Sequence, residues 1–192
     1  MNIQIKNQDH PIQVKPQCLE RVLPTLTIYT KKIAGGCNLT SGIPEHASLY
    51  FKEIGRCTKE ISQSQQIIFI VHGFLQEINV DVRTWLGGFL KMKDELFKAD
   101  DGKRKGVIIV NWTKGHKTDP RFLKSRENLL LHLLEAVFYG LPYHQAAANT
   151  RYVGASIAVI AKQIKKITPA AELHCIGHSL VAHVCGFAGK AM

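Results

Sequence analysis

The spacing of apolar and polar positions changes along this chain, and each change marks a predicted element. Leu26-Thr27-Ile28-Tyr29-Thr30 has the β-branched and aromatic content of a strand. Residues 48–52 suggest another, short strand. Ile67-Ile68-Phe69-Ile70-Val71 is a continuous apolar run of strand length, the kind that is buried on both faces of a parallel sheet. Val82, Trp85, Leu86, Phe89, Leu90 and Phe97 then recur at helical spacing. Gly106 opens Val107-Ile108-Ile109-Val110, a second buried strand. Val153, Ile157, Ile160, Ala161, Ile164 and Ile167 mark an amphipathic helix that Pro169 closes. Leu173-His174-Cys175-Ile176 follows as a third strand, and residues 179–191 as the helix after it. This alternation of strand and helix predicts an α/β fold with a doubly wound, mostly parallel sheet.

Residues 1–20 are polar and mixed in charge and read as a mobile N-terminal arm; residues 21–192 read as one α/β domain. Residues 35–45 form a loop rich in Gly and polar side chains, and Asn38-Leu39-Thr40 within it is a glycosylation sequon if the protein is secreted. The stretch near 113–142 breaks the rhythm, being long for a connection between a strand and a helix. Its run Leu129-Leu130-Leu131-His132-Leu133-Leu134 is too dense in leucine for a one-sided surface helix. A packed extra helix is the plain reading of this insertion, and an element that touches lipid is the sharper one.

Composition narrows the class. The chain has 192 residues, 45% of them hydrophobic, which suits one domain or part of a larger one. No run of about 18 apolar residues occurs, so nothing is expected to span a membrane. The first residues carry no apolar core of a signal peptide, so the protein either stays inside the cell or has lost its true N-terminus. The net charge of +10 favours anionic surfaces such as phospholipid or sulfated glycan. The charges are scattered, however, and Lys103-Arg104-Lys105 reads as a solvated turn; no nucleic-acid-binding signature is present. Five cysteines occur, none in a CxxC pair, which argues against zinc, and no metal or cofactor is expected. Cys175 and Cys185 lie in apolar stretches and read as buried thiols.

The candidate chemistry lies after two of the strands. Gly177-His178-Ser179-Leu180-Val181 ends the third strand and opens a helix, the position of a nucleophile elbow. There Ser179 is the candidate nucleophile and the N–H of Leu180 a candidate oxyanion donor. His72-Gly73-Phe74 directly follows the first buried strand, where a loop supplies the second donor, the N–H of Phe74. The plain alternative for this loop is a glycine turn with a structural histidine.

These blocks carry a family resemblance. Ile68-Phe69-Ile70-Val71-His72-Gly73-Phe74 resembles the strand and oxyanion loop of the animal pancreatic-type lipases, which include phospholipase A1 relatives. Val110-Asn111-Trp112 is similar to that family's next strand end, and Gln145 through Gly154 resembles its A-x-N-x-R-x-V-G helix start. Cys175-Ile176-Gly177-His178-Ser179-Leu180, Ala182-His183 and Gly186-Phe187-Ala188-Gly189-Lys190 resemble its elbow and the helix that follows. The resemblance implies an α/β-hydrolase fold and a secreted ester hydrolase acting on triacylglycerol or phospholipid at a lipid–water interface. It also implies a Ser, Asp, His triad in that chain order.

Two departures qualify the transfer. Val181 stands where the family has Gly, and its β-branched side chain is expected to press on the strand or the elbow. Thirteen residues follow Ser179, none of them Asp, so the sheet is expected to be C-terminally incomplete, with a bare edge strand, and the chain inactive by itself. His178 and His183 read as packing residues. An upstream base is the remaining possibility, with His72 the nearest, although no Asp neighbour suggests itself. The rival function is a non-catalytic lipid-binding or carrier protein on the same scaffold, favoured by Val181; a basic surface-binding module rests on charge alone.

Overall fold

In the computed structural model, the residues described are 3–7, 10–14, 16, 22–39, 57, 61–74, 85–99, 102–112 and 141–192. The expected strand at 48–52 and the insertion up to residue 140 lie outside them. The elements in chain order are strands β1 (Ile3–Asn7), β2 (His10–Val14), β3 (Thr25–Thr30), β4 (Cys37–Leu39) and β5 (Gln66–Val71). Helix α1 (Trp85–Lys98), strand β6 (Lys105–Asn111), helix α2 (Leu141–Ile167), strand β7 (Glu172–Gly177) and helix α3 (Val181–Ala191) follow.

Five strands form one sheet in the order β4-β3-β6-β5-β7. The three strands expected from apolar runs are adjacent, with β5 paired in parallel to β6 on one side and to β7 on the other. The sheet is mixed rather than mostly parallel, because β3 runs antiparallel to both β4 and β6. A tight connection permits this: the N–H of Ile33 donates to Thr30 and that of Gly36 to Ile33, turning the chain straight back. Gly36 has φ +80°, and a β-carbon there would meet the Thr27 and Tyr29 side chains at 2.6 and 2.7 Å. The segment read as a loop thus contains β4. Inside the segment expected as an arm, β1 and β2 pair as an antiparallel hairpin in which Ile3 faces Val14 and Ile5 faces Ile12.

Parallel neighbours need crossover connections, and the helices supply them. Alternate side chains of each central strand point to opposite faces, so one apolar run feeds two cores. Ile67, Phe69, Val71, Ile108 and Val110 pack on one face with Val153, Ile157, Ile160 and Ile164 of α2 and Val181, Val184 and Ala188 of α3. Ile68, Ile70, Val107 and Ile109 pack on the other face with Phe89 of α1. Burying each such aliphatic side chain stabilises the fold by roughly 1.5–3 kcal/mol, which is why β5 and β6 show no polar alternation.

Two features fix α3. Gly154 lets α2 approach it closely, since a β-carbon there would lie 2.7 Å from Phe187 Cβ and 2.8 Å from the Val184 carbonyl oxygen. A disulfide then joins Cys175 of β7 to Cys185 of α3 across a Cα–Cα distance of 5.6 Å. The buried-thiol reading of these two residues is therefore corrected. The turn after β7 lays α3 back along its own strand, which brings positions ten apart in sequence face to face. A second disulfide joins Cys37 to Cys57.

Candidate active site

The register of the sheet brings the two candidate loops to one edge. Val71 is paired with Gly177, so residues 72–74 and 178–180 leave adjacent strands side by side at their C-terminal ends. That edge is where open α/β sheets collect ligands.

Ser179 has φ +60°, the only positive φ of a non-glycine residue among those described. Holding a serine there costs on the order of 1–3 kcal/mol, so the surroundings must impose it. Gly177 is one reason: a β-carbon on it would lie 2.7 Å from the Val181 carbonyl oxygen and 3.0 Å from Val181 Cγ1. The turn is closed by N–H groups of Val181, Ala182 and His183, which donate to the carbonyls of His178, Ser179 and Leu180. In sequence, the N–H of Leu180 lies ahead of that ladder, among the amides a helix start leaves outside its own bonds. Leu180 is buried and Ser179 exposed, so the turn drives an apolar residue inward and lifts the hydroxyl outward.

Val181 packs into the core beside Gly177. Its side chain is fully buried in the main core, and its backbone keeps an ordinary negative-φ conformation at the first position of α3. The bare α-carbon of Gly177 leaves the room its side chain takes. His178 and His183, expected as packing residues, are both exposed, because the turn stands out from the end of the sheet. Among the described strands β7 is an edge strand, with Ile176 40% exposed.

The other loop is tied down by Trp112, which directly follows β6 and is fully buried. Its indole N–H donates to the carbonyl of His72 at 2.6 Å, and its backbone N–H donates to His72 Nε2 at 3.0 Å. Nε2 is thus an acceptor, which puts the ring proton on Nδ1, 3.0 Å from the Gly73 carbonyl. Burial pushes the imidazole below the usual histidine range, opposed by its hydrogen bonds to Gly73 and the Asn111 side chain. The ring is neutral and has both nitrogens engaged within the loop it braces. That arrangement suits a structural brace and not a general base, which answers the question of an upstream base at His72.

Phe74 is half-buried and meets the ring of Tyr143, at the start of α2, edge to face with centroids 5.5 Å apart. Tyr143 is 42% exposed, so an aromatic surface lies open beside the loop. The sequence reading missed Tyr143, because it falls at the boundary of the segment taken as an insertion. It also missed the Cys175–Cys185 bridge, although one cysteine precedes Ser179 and the other follows it.

Fold and site together define an α/β protein with a strained, exposed serine at a strand-to-helix turn. Residues 139–192, which hold that turn and α2, match the sequence model of the family described as Lipase. Over 167 residues the chain is 29% identical to a phospholipase A1 of Polybia paulista, covering 85% of this chain and 42% of that protein. It is 32% identical over 134 residues to a phospholipase A1 of Vespa basalis, covering 69% and 37%. It is 30% identical over 169 residues to phospholipase A1 4 of Polistes dominula, covering 86% and 43%. The chain belongs to the lipase family, and it spans about two fifths of the length of these relatives.

Proposed function

We propose that the chain carries the nucleophile and oxyanion elements of an α/β-hydrolase that cleaves carboxylic esters of lipids, with phospholipid ahead of triacylglycerol. The observation that carries this reading is the φ of +60° at Ser179, at the turn between β7 and α3. A non-glycine residue keeps that conformation only where the surrounding structure imposes it, and such positions cluster at active sites. The phospholipase A1 relatives support the ester class and favour phospholipid.

In this reading Ser179 Oγ attacks the ester carbonyl carbon and gives up its proton to a general base. The oxyanion settles on the N–H groups of Phe74 and Leu180, and the loss of one such donor typically costs about 2.7–4 kcal/mol of barrier stabilisation. The alcohol leaves with a proton, and water then releases the fatty acid from the acyl-serine. Neither His72, locked as a neutral brace, nor the exposed His178 and His183 fits the role of base. Inactivity, or near inactivity, of the chain taken alone is part of the proposal. The two disulfides support an oxidising, extracellular setting, and no described helix is long and apolar enough to cross a membrane. The net charge of +10 suits contact with anionic lipid or glycan at the interface.

The test is a fluorophosphonate probe applied to the full-length protein, with the adduct located by peptide mapping. An adduct on Ser179 that Ser179→Ala removes is the expected result. Absence of any Ser179 adduct in a folded, full-length protein would return the chain to the non-catalytic lipid-binding class.

A further inference from the structure

We propose that the Cys175–Cys185 disulfide is a positioning device for Ser179, holding the helix after the turn at a fixed distance from the strand before it. The proposal rests on the reading of Ser179 as nucleophile, and it adds two residues that act on the reaction through the backbone between them.

The bridge encloses the whole turn. Cys175 lies four residues before Ser179 and Cys185 six after it, so the loop closed by the sulfurs contains Gly177, His178, Ser179, Leu180 and Val181. The two α-carbons are 5.6 Å apart, which sets the separation of β7 and α3 one helical turn beyond the elbow. The φ of +60° at Ser179 is a conformation that the surroundings must hold, and a separation of α3 from β7 would release that hold.

Besides the packing of Val181, Val184 and Ala188 in the main core, two restraints oppose such a separation, and each is one-sided. Among the described strands, β7 is held by β5 alone, from Gln66–Glu172 to Val71–Gly177. Helix α3 is held to α2 through the close approach at Gly154, near Val184 and Ala188. These contacts fix β7 to the sheet and α3 to its neighbouring helix. Beside the Gly177–Val181 contact, the disulfide is the covalent tie between the two elements themselves. A shift of about 1 Å in a catalytic group can cost about a hundredfold in rate, so a tether at this point acts on the turnover step and leaves substrate binding unchanged. Both cysteines are half-buried, and the other bridge, through the fully buried Cys57, lies elsewhere in the core.

The experiment compares the full-length protein with the Cys175→Ala/Cys185→Ala double variant by two readouts. Hydrogen exchange is expected to speed up at least tenfold at the amides of residues 178–183, with the amides of α2 unchanged. Hydrolysis of a soluble short-chain ester is expected to lose at least tenfold in kcat with KM unchanged. Equal exchange at 178–183, a uniform rise across the whole protein, or a kcat within twofold of wild type would overturn the proposal. If the double variant fails to unfold cooperatively, the wild type is treated instead with a limiting dithiol. One dithiol is oxidised for each bridge reduced to two thiols, which are then alkylated and located by mass spectrometry. The sample in which alkylation maps to Cys175 and Cys185 and not to Cys37 and Cys57, whose bridge includes the fully buried Cys57, is the one read by the same two readouts. A wild type that takes no fluorophosphonate on Ser179 ends the nucleophile reading, while the exchange measurement still decides whether the bridge holds the turn.

Discussion

Gly177 and Val181 occupy one space at the turn: a β-carbon on Gly177 would sit 2.7 Å from the Val181 carbonyl oxygen, while the Val181 side chain is itself fully buried. The small residue that the turn needs on the strand side is present, and it makes room for a branched residue on the helix side. Gly177→Ala is therefore expected to destabilise the protein by about 1–3 kcal/mol through overpacking, and to lower fluorophosphonate labelling of Ser179 at the same time. Denaturant unfolding and labelling rates check both. Wild-type values for the alanine variant would show that the turn has slack.

The same contact reverses the expectation for Val181. Read from sequence, Val181 looks like an obstruction that Gly would relieve. Placed in the core, it is a buried side chain whose removal leaves a cavity and adds backbone freedom. Val181→Gly is expected to cost roughly 2–4 kcal/mol of stability and to leave ester turnover within a few fold. A tenfold gain in kcat on this substitution would mean that the valine does distort the elbow.

His72 makes stability depend on pH in a stated direction. Burial lowers its pKa from the ordinary value of 6.5 in the folded protein, so the fold favours the neutral ring. Above that value both folded and unfolded chains hold it neutral, and the contribution is fully present. As pH falls below it, the unfolded chain takes up a proton that the folded one resists, and stability drops by up to about 1.4 kcal/mol per pH unit from this group. Unfolding midpoints measured from pH 8 to pH 5 should decline, and His72→Gln should flatten that decline while lowering stability throughout. An equal pH slope in wild type and variant would place the titrating group elsewhere.

Asn38 tests the extracellular setting. It is exposed on β4, and its Oδ1 accepts a hydrogen bond from Thr27 Oγ1 at 2.8 Å. Glycan attaches through the amide nitrogen, so that bond is no obstacle to it. Passage through a eukaryotic secretory route should add an endoglycosidase-sensitive mass to the peptide that carries Asn38, located by mass spectrometry apart from the second sequon Asn111-Trp112-Thr113, and Asn38→Gln should abolish it. An unmodified Asn38 in efficiently secreted protein would show that the site is not used.

Local sequence by itself determined the strands and helices whose periodicity is strong. The runs at 67–71 and 107–110 could be buried only on two faces, because they offer no polar alternation, and β5 and β6 lie between α1 on one side and α2 and α3 on the other. The turn at Gly177 and Ser179 was legible for a related reason, since a glycine between an apolar strand and a helix start has few other uses. Tertiary structure alone decided the rest. Pairing direction placed β3 and β4 antiparallel and made the sheet mixed, through contacts between segments far apart in sequence. Whether Cys175 and Cys185 bridge depends on the angle at which α3 folds back over β7, and no spacing specifies that angle. The role of His72 depends on Trp112, forty residues away, whose backbone N–H fixes the ring as an acceptor while its indole N–H holds the His72 carbonyl. Val181 is the sharpest case. Its side chain is the same in both readings, and only the empty space over Gly177 turns an apparent clash into a packed contact.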